Sequence, residues 1–434
     1  MAPLIDHPRR YELANELHAR PFPSVERAGR AAYLALRAKG DAARRDRSLD
    51  RAHLIALLDR YGAAHPAPDA THFMGPIGKY HLKWESHTEF VTYTVFAEGV
   101  ADRAFDKGTF DIFPQDWLDA APGQRITSAL IRIEPVDSHD AMLERLHGWF
   151  ERESLAAAHV LDEALVVASD FRIDEAGHMR FAVFPRPDTG ERRIGRVVQR
   201  LCEIETYKAM SMLGLVQARK VVGDLAQIEM ELSRVMSAMS DEAPEGRKDG
   251  GMEDGLLDDI LRLSTRIEAL VTQTNFRFGA TGAYEAIVTQ RIEVLRETRF
   301  HGRQLFSEFM MRRYDPAMRT VKAAERQLDG VAERAARAAD LLRTKVDVAR
   351  QAQNQALLSS MDRRADLQLR LQETVEGLSV VAISYYALGL AGYAVYPFLE
   401  LLGLSKGLAL AILTPLVVLT MWLGLRRLKK HHLG

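Results

Sequence analysis

The sequence predicts an α+β head, a long helical (coiled-coil-like) stalk and a C-terminal two-helix transmembrane hairpin. Strand-like runs occur only within residues 1–199, and helical periodicity dominates residues 200–376. Two apolar runs without charge follow, at residues 377–399 and 407–425. These three observations set the expected boundaries of the head, the stalk and the membrane segment, and a basic tail remains at 426–434.

The head is predicted to contain a largely antiparallel sheet with helices. Residues 48–61 have apolar side chains at helical spacing behind a Ser that suits an N-cap, and residues 139–151 are a second helical candidate. Gly177 marks a hairpin turn between the last two strands. The strand-like runs, rich in aromatic and β-branched residues, are HLKWE, FVTYTVFAE, RITSALIRIEPV, LVVASDFRI and HMRFAVF.

The stalk begins with a long amphipathic helix, and a mobile acidic loop is expected near residues 240–255. The apolar face of this first helix comprises Leu215, Ala218, Val222, Leu225, Ile228, Leu232, Val235 and Met239. The last stalk helix carries a seven-residue repeat that indicates a coiled-coil seam. Its positions are Val321, Ala324, Leu328, Val331, Ala335, Ala338 and Leu342.

The membrane hairpin is predicted over residues 377–425, with spans at 377–399 and 407–425. At about 1.5 Å per residue, a helix of either length approaches or exceeds the roughly 30 Å of hydrocarbon in a bilayer. Two buried helices of a soluble core are the alternative, but such helices usually keep a polar stripe. We therefore expect the lipid bilayer to be a partner of this chain.

Basic residues on both outer flanks of the hairpin indicate its orientation. By the positive-inside rule these flanks belong in the cytoplasm. We therefore expect a bacterial inner-membrane protein with two spans, both termini cytoplasmic and a large cytoplasmic domain. The residues that set this topology are Arg363, Arg364, Arg370, Arg426, Arg427, Lys429 and Lys430.

Composition excludes several other classes. A net charge of -1 argues against a nucleic-acid partner, since such binding needs a clustered basic surface. Cys202 is the single cysteine, so no intrachain disulfide can form. The N-terminal stretch lacks the apolar core of a secretory signal peptide.

A cluster of functional side chains lies near the N-terminus: Asn15, Glu16, His18 and Arg20. Glu16 and His18 form an acid/base pair only on an extended backbone, because residues two apart do not share a helical face. The alternative that we favour is a helical ion pair between Glu16 and Arg20, with Pro21 ending the helix.

Two further patterns are open to a chemical and a structural interpretation. His81, Lys83, Glu85 and His87 alternate, so a strand places them on one face, either as metal ligands or as a solvated surface. Residues 279–284 (GATGAY) suit either a phosphate-binding turn or, as we favour, a turn between stalk helices. We predict no catalytic residue, no metal and no cofactor, since no Walker loop, dinucleotide fingerprint or nucleophile elbow is present.

In the first span, Tyr385, Gly389, Gly392 and Tyr396 recur at spacings of four, three and four and share one helical face. Small residues permit close helix approach in lipid. We favour a packing seam within the hairpin or an oligomer over a pore lining, because neither span contains an acidic or amide side chain.

Four segments carry a resemblance to a known family. They are HPRRYELANELHARPFP, HLKWESHTEFVTYTVF, FRFGATGAYEAIVTQRIEVLRETRFHGRQLFSEFMMRRYDPAMRT and VEGLSVVAISYYALGL. The chain resembles the bacterial membrane-anchored proteins of the domain of unknown function family 3422 along nearly its whole length. The resemblance implies one integral architecture with two C-terminal spans, and no assigned activity.

A looser, architectural likeness is to the CorA-type magnesium transporters. That family shares a cytoplasmic head, a long stalk helix that enters the first span, a short turn, a second span and a basic tail. Its Gly-Met-Asn triplet is absent, since residues 392–397 read GYAVYP. Two hypotheses follow: a non-enzymatic homo-oligomeric scaffold or sensor with a cytoplasmic protein partner, and, as the alternative, a divergent CorA-like ion channel or transporter.

Overall fold

The computed structural model describes residues 4–16, 22–40, 44–240, 250–402 and 405–432. The chain divides into two units, Met1–Lys248 with Asp254–Ala338 and Asp249–Glu253 with Ala339–Gly434. Each unit is described by itself.

The first unit contains a nine-stranded sheet in the order β2-β3-β4-β1-β5-β8-β7-β6-β9. All neighbouring strands run antiparallel except β5 and β8, which are parallel. The strands are β1 Gly29–Ala38, β2 His72–Ile77, β3 Tyr80–Ser86, β4 Phe90–Glu98, β5 Gly123–Ile133, β6 Ala156–Val160, β7 Leu165–Ser169, β8 Met179–Pro185 and β9 Thr298–Arg299. An α+β fold is therefore confirmed.

Nine α-helices are described. They are α1 Arg10–Glu16, α2 Arg47–Arg60, α3 Gln115–Asp119, α4 His139–Trp149, α5 Glu191–Ser240, α6 Gly250–Glu293, α7 Phe306–Arg313, α8 Asp315–Leu402 and α9 Lys406–His432. Helix α2 begins one residue before the prediction, and its N-cap is Asp46, whose side chain accepts from the Ser48 backbone N–H. Ser48 is therefore not the N-cap.

Two apolar clusters cover one face of the sheet. In the first, Leu54 and Leu57 of α2 and Trp117 of α3 pack on alternate residues of the central strands, including Leu34 and Tyr93. A second cluster, with Leu146 of α4, covers the strands beyond β5. Alternation along each strand leaves the other face for the long helices.

Helix α5 takes the opposite face of the sheet. Its first turns bury Ile194, Val197, Leu201 and Ile204 completely. Gly195 lies so close to the backbone of Pro23 that a Cβ atom would stand 1.8 Å from the Pro23 carbonyl oxygen. A glycine at this point permits the close contact between α5 and the segment before β1.

The long helices α5, α6 and α8 each carry a row of buried apolar positions. The predicted seam positions of α8 are all buried: Val321, Ala324, Leu328, Val331, Ala335 and Ala338 in the first unit, and Leu342 in the second. In α5 the prediction was wrong at Val222, which is 41% exposed, because the buried position is Val221. Both proposed roles of residues 279–284 as a turn were also wrong, since those residues lie inside α6.

We predict that Gly195→Ala lowers the free energy of unfolding by about 1–3 kcal/mol, because the added methyl group meets backbone that cannot rotate away. Gly223→Ala is the matched control, because Gly223 lies in the same helix with open space around its Cβ position. For Gly223→Ala we expect the free energy of unfolding to rise by about 0.5–1 kcal/mol, since alanine restricts the unfolded chain and favours the helix.

Chemical denaturation of both variants in detergent, followed by circular dichroism, measures the two differences. Equal shifts for Gly195→Ala and Gly223→Ala would contradict the close contact at Pro23.

Candidate functional site

The N-terminal polar cluster falls mostly outside the described part of the chain. Helix α1 ends at Glu16, and the side chains of Asn15 and Glu16 are outside the described residues. His18 and Arg20 also lie outside them. Neither the acid/base pair nor the helical ion pair is therefore tested, and both stay predictions.

Of the alternating residues, His81, Lys83 and Glu85 lie on β3, and His87 directly follows the strand. His81 is exposed, whereas Lys83 contacts a helix. Lys83 is buried, with its Nζ 3.1 Å from Glu85 Oε2, and it donates a hydrogen bond of 2.7 Å to Gln199 Oε1 on α5. His87 stacks on Phe90 with ring centroids 4.4 Å apart. Within the described residues, no group of three or more His, Cys, Asp or Glu side chains is placed to hold a metal ion.

A chain of hydrogen bonds continues from Lys83 across α5 to α6. The Gln199 amide donates to Glu203 Oε1 at 2.7 Å, and the Arg291 guanidinium forms an ion pair with Glu203. A parallel link joins β5 to α5, where Thr127 Oγ1 donates to Glu205 Oε1 at 3.1 Å. The sheet is thus tied to both long helices by polar contacts.

The most enclosed of these contacts is centred on Glu89, in the turn between β3 and β4. Glu89 is 1% exposed, and both of its carboxylate oxygens accept from the Arg277 guanidinium of α6. Tyr284, one heptad later on α6, donates its hydroxyl to Glu89 Oε1 at 2.9 Å. Arg37 Nε of β1 stands 3.8 Å from Glu89 Oε2, so two guanidinium groups compensate one buried carboxylate.

The surroundings of this junction raise the pKa values of two nearby groups, the Tyr284 phenol and the Cys202 thiol. Burial, reinforced by the charge of Glu89, raises the pKa of Tyr284, so the phenol stays protonated and donates. Burial also raises the pKa of the Cys202 thiol, with Glu203 adding to the effect, which keeps that sulfur from acting as a nucleophile at neutral pH. The arrangement suits a contact that holds the sheet and α6 together better than it suits a catalytic site.

Sequence reasoning missed the Glu89 junction. Glu89 and Arg277 are 188 residues apart, and neither belongs to a recognisable motif. One signal does exist, because Arg277, Tyr284 and Arg291 recur every seven residues and so share a face of α6. That polar stripe is the face of α6 that meets Glu89 and Glu203.

A second group missed by sequence reasoning is a histidine cluster near the β9 edge. The His139 ring centroid lies 5.5 Å from that of His159 and 5.1 Å from that of His301. Burial lowers the pKa of His159, and the two neighbouring histidines add to the effect while Glu163 opposes it. The cluster therefore favours a neutral His159.

In the second unit, α8 ends in an apolar stretch. Among the described residues, α8 is the one helix long and apolar enough to cross a membrane; its best 18-residue window has a mean hydropathy of 1.6 and is 6% buried. Helix α9 contains a shorter apolar stretch, Leu410–Gly424. Large side chains such as Tyr385, 75% exposed, and Leu390, 72% exposed, have no cover within the described chain.

Of the residues predicted to share one face of the first span, some contact α9 and others are exposed. A Cβ atom on Gly392 would lie 3.8 Å from Leu410 of α9, whereas nothing lies within 4 Å of that position on Gly389. The side chain of Tyr396 is outside the described residues, and Ser384 is buried at 5% exposure. The two helices therefore lie close together at Gly392 and not at Gly389.

The basic residues around these helices are exposed wherever their side chains are described. Arg363, Arg364 and Arg370 lie on α8, and Arg427 lies on α9. The side chains of Arg426, Lys429 and Lys430 are outside the described residues, although their backbone belongs to α9.

A family model described as "Protein of unknown function (DUF3422)" matches residues 5–432. The chain belongs to this family. No curated protein matches the chain, and no solved structure matches it. The likeness to CorA-type transporters is therefore unsupported by these comparisons.

We predict that Glu89→Gln lowers the free energy of unfolding by about 3–5 kcal/mol, because Arg277 loses its charge partner in a buried site. The control is Glu285→Gln. Lys322, the partner of Glu285, is 53% exposed, so we expect Glu285→Gln to lower the free energy of unfolding by only about 0–1 kcal/mol.

Thermal unfolding of both variants in detergent measures the two losses. Adding Arg277→Met to Glu89→Gln should recover part of the loss, since it removes the unpaired charge. Equal, small losses for Glu89→Gln and Glu285→Gln would rule out the proposed importance of the buried junction.

Proposed function

We propose that the protein is an integral inner-membrane protein with a large cytoplasmic domain, acting as a non-enzymatic oligomeric scaffold or sensor. The observation that carries the proposal is the uncovered apolar surface of α8 near its C-terminal end, where Leu378, Val381, Tyr386 and Tyr393 are between 67% and 83% exposed. Apolar surface on this scale is unfavourable in water and favourable in lipid.

The proposed anchor is a transmembrane hairpin formed by residues 377–399 and 407–425. A helix covers the roughly 30 Å hydrocarbon core in about 20 residues, which fits both segments. Close approach at Gly392 and Leu410 supports packing between them, because small residues let helices meet in lipid. Exposed arginines on α8 and α9 outside the apolar stretches support the proposal that both termini are cytoplasmic, by the positive-inside rule.

The scaffold or sensor role rests on the polar contacts of the first unit. Buried charges there join strands to long helices through Glu89, Lys83 and their partners. One of those helices, α8, is unbroken from Asp315 to Leu402. A cytoplasmic protein that binds the head would thus act on helices that are continuous in sequence with the membrane anchor. Copies of the chain associate as a homo-oligomer in this proposal.

Cysteine labelling tests the topology. In a Cys202→Ala parent, we expect Ser405→Cys to react with a membrane-impermeant maleimide in intact spheroplasts, because Ser405 lies between the proposed spans. Ser359→Cys is the control, since Ser359 is exposed on α8 ahead of the first span and should react only after permeabilisation.

Release of the protein from membranes by alkaline carbonate would overturn the proposal of a transmembrane anchor. Equal labelling of both cysteines in intact spheroplasts would overturn the topology.

The alternative function is a divergent CorA-like ion channel or transporter. The feature that favours it is the unbroken helix from Asp315 into the apolar stretch, which that family also has. Within the spans, however, Tyr385 and Gly389 present no charged or amide group to an ion, and a cation path ordinarily uses such groups.

Ion flux into liposomes containing the purified protein separates the two functions. We expect no Mg²⁺ uptake, because a path lined by apolar and small residues cannot replace the hydration shell. Uptake that Gly389→Leu abolishes and Gly377→Leu leaves intact would establish the alternative. Both glycines have open space around their Cβ positions, so neither change disturbs the packing within the chain.

A further inference from the structure

Residues 347–375 of α8 form a helix that is exposed at every position. Large apolar side chains in and just after this segment are uncovered, among them Leu357 at 56%, Leu371 at 67% and Leu378 at 67%. An isolated helix of this kind is unstable in water, because most helical stability comes from packing an apolar face. Another surface must therefore cover it.

The uncovered apolar residues share a face. Positions spaced alternately by four and three define a seven-residue repeat: Leu357, Met361, Arg364, Gln368, Leu371, Val375 and Leu378. Leu367 borders this row on one side and Leu358 on the other, while Leu369 lies outside it. The row is called the distal seam below.

Charged residues are also distributed unevenly around this helix. Between Leu357 and Leu378, the charged residues other than Arg364 lie off the distal seam and off the positions beside it: Asp362, Arg363, Asp366, Arg370, Glu373 and Glu376. Ahead of Leu357 the same spacing reaches Arg350 and Asp347, so the distal seam begins at Leu357. An interface between identical chains must keep like charges apart, and this distribution does so at every seam position except Arg364. It therefore suits a second copy better than a partner recognised by opposite charge.

The distal seam continues a face of α8 that is already buried. Leu357, Leu371 and Leu378 follow Val321, Ala335 and Leu342 by 36 residues, which is about ten helical turns. The earlier three residues are each at most 2% exposed. Three leucines of the distal seam thus lie on the face of α8 that is buried earlier in the helix, and they lack a cover within the described residues.

We propose that the distal seam binds the same seam of a second copy, in parallel and in register. This inference rests on the proposed membrane anchor, because two copies inserted in one bilayer with the same topology present the same segment at the same distance from it. Parallel alignment then pairs Leu371 with Leu371 and Val375 with Val375. Arg364 is the one charge within the seam, so it weakens the contact.

Site-directed crosslinking tests the proposal in native membranes. In the Cys202→Ala parent, Leu371→Cys lies on the distal seam, whereas Glu373→Cys lies on the opposite side of the same turn. We expect a short bis-maleimide to join Leu371→Cys chains into a species of twice the monomer mass and to leave Glu373→Cys monomeric.

A crosslinked species of any other mass would identify a different occupant and overturn the proposal. So would equal yields from the two positions, which indicate random collision, or no crosslink from either. In these cases maleimide labelling at Ser405→Cys still reports on the anchor, so failure of the seam is distinguishable from failure of the proposed function.

Adjacent arginines provide a second measurement. Arg364→Leu removes the charge from the distal seam, and we expect the concentration at which the purified oligomer half-dissociates in detergent to fall about tenfold, equivalent to about 1.4 kcal/mol. Arg363→Leu changes a residue off the seam and should leave that concentration unchanged. Light scattering over a dilution series measures both. Equal responses of the two variants would contradict the assigned register.

Discussion

The structure depends most on the burial of the apolar faces of its long helices. Helix α8 has 88 residues, and a helix of that length persists only where its apolar face is buried. Through Ala338 that face is buried in the unit that contains α5 and α6. Beyond Val346 the described chain offers no cover, so lipid and a second copy are the surfaces that we assign to the remainder.

Buried charge in the first unit fixes how helices meet the sheet. Breaking a pair such as Glu89 and Arg277 is costly, although a buried pair is often no more stable than apolar residues in its place. We interpret the pair as one that selects the register of α6 against the sheet and α5. In this register α6 pairs Arg277 with Glu89 and Arg291 with Glu203. A shift of α6 by one turn would separate Glu89 from Arg277 and Glu203 from Arg291.

Sequence patterns predicted the strands that follow β-propensity, including β4 and β8. They did not predict β1, the strand between β4 and β5, because GRAAYLALRA is rich in residues that favour helices. Burial on both faces of the sheet overrides that preference. The Glu89 junction was equally inaccessible, since its partners come from distant parts of the chain and local periodicity contains no information about such contacts.

A change of residue type along α8 agrees with the two kinds of cover. In the buried part, three of the seven seam positions are alanines, Ala324, Ala335 and Ala338. In the distal seam no position is an alanine, and five of the seven are larger apolar residues: Leu357, Met361, Leu371, Val375 and Leu378. Leucines have enough apolar surface to hold separate chains together, whereas an alanine row depends on neighbours that are already held near by the chain itself.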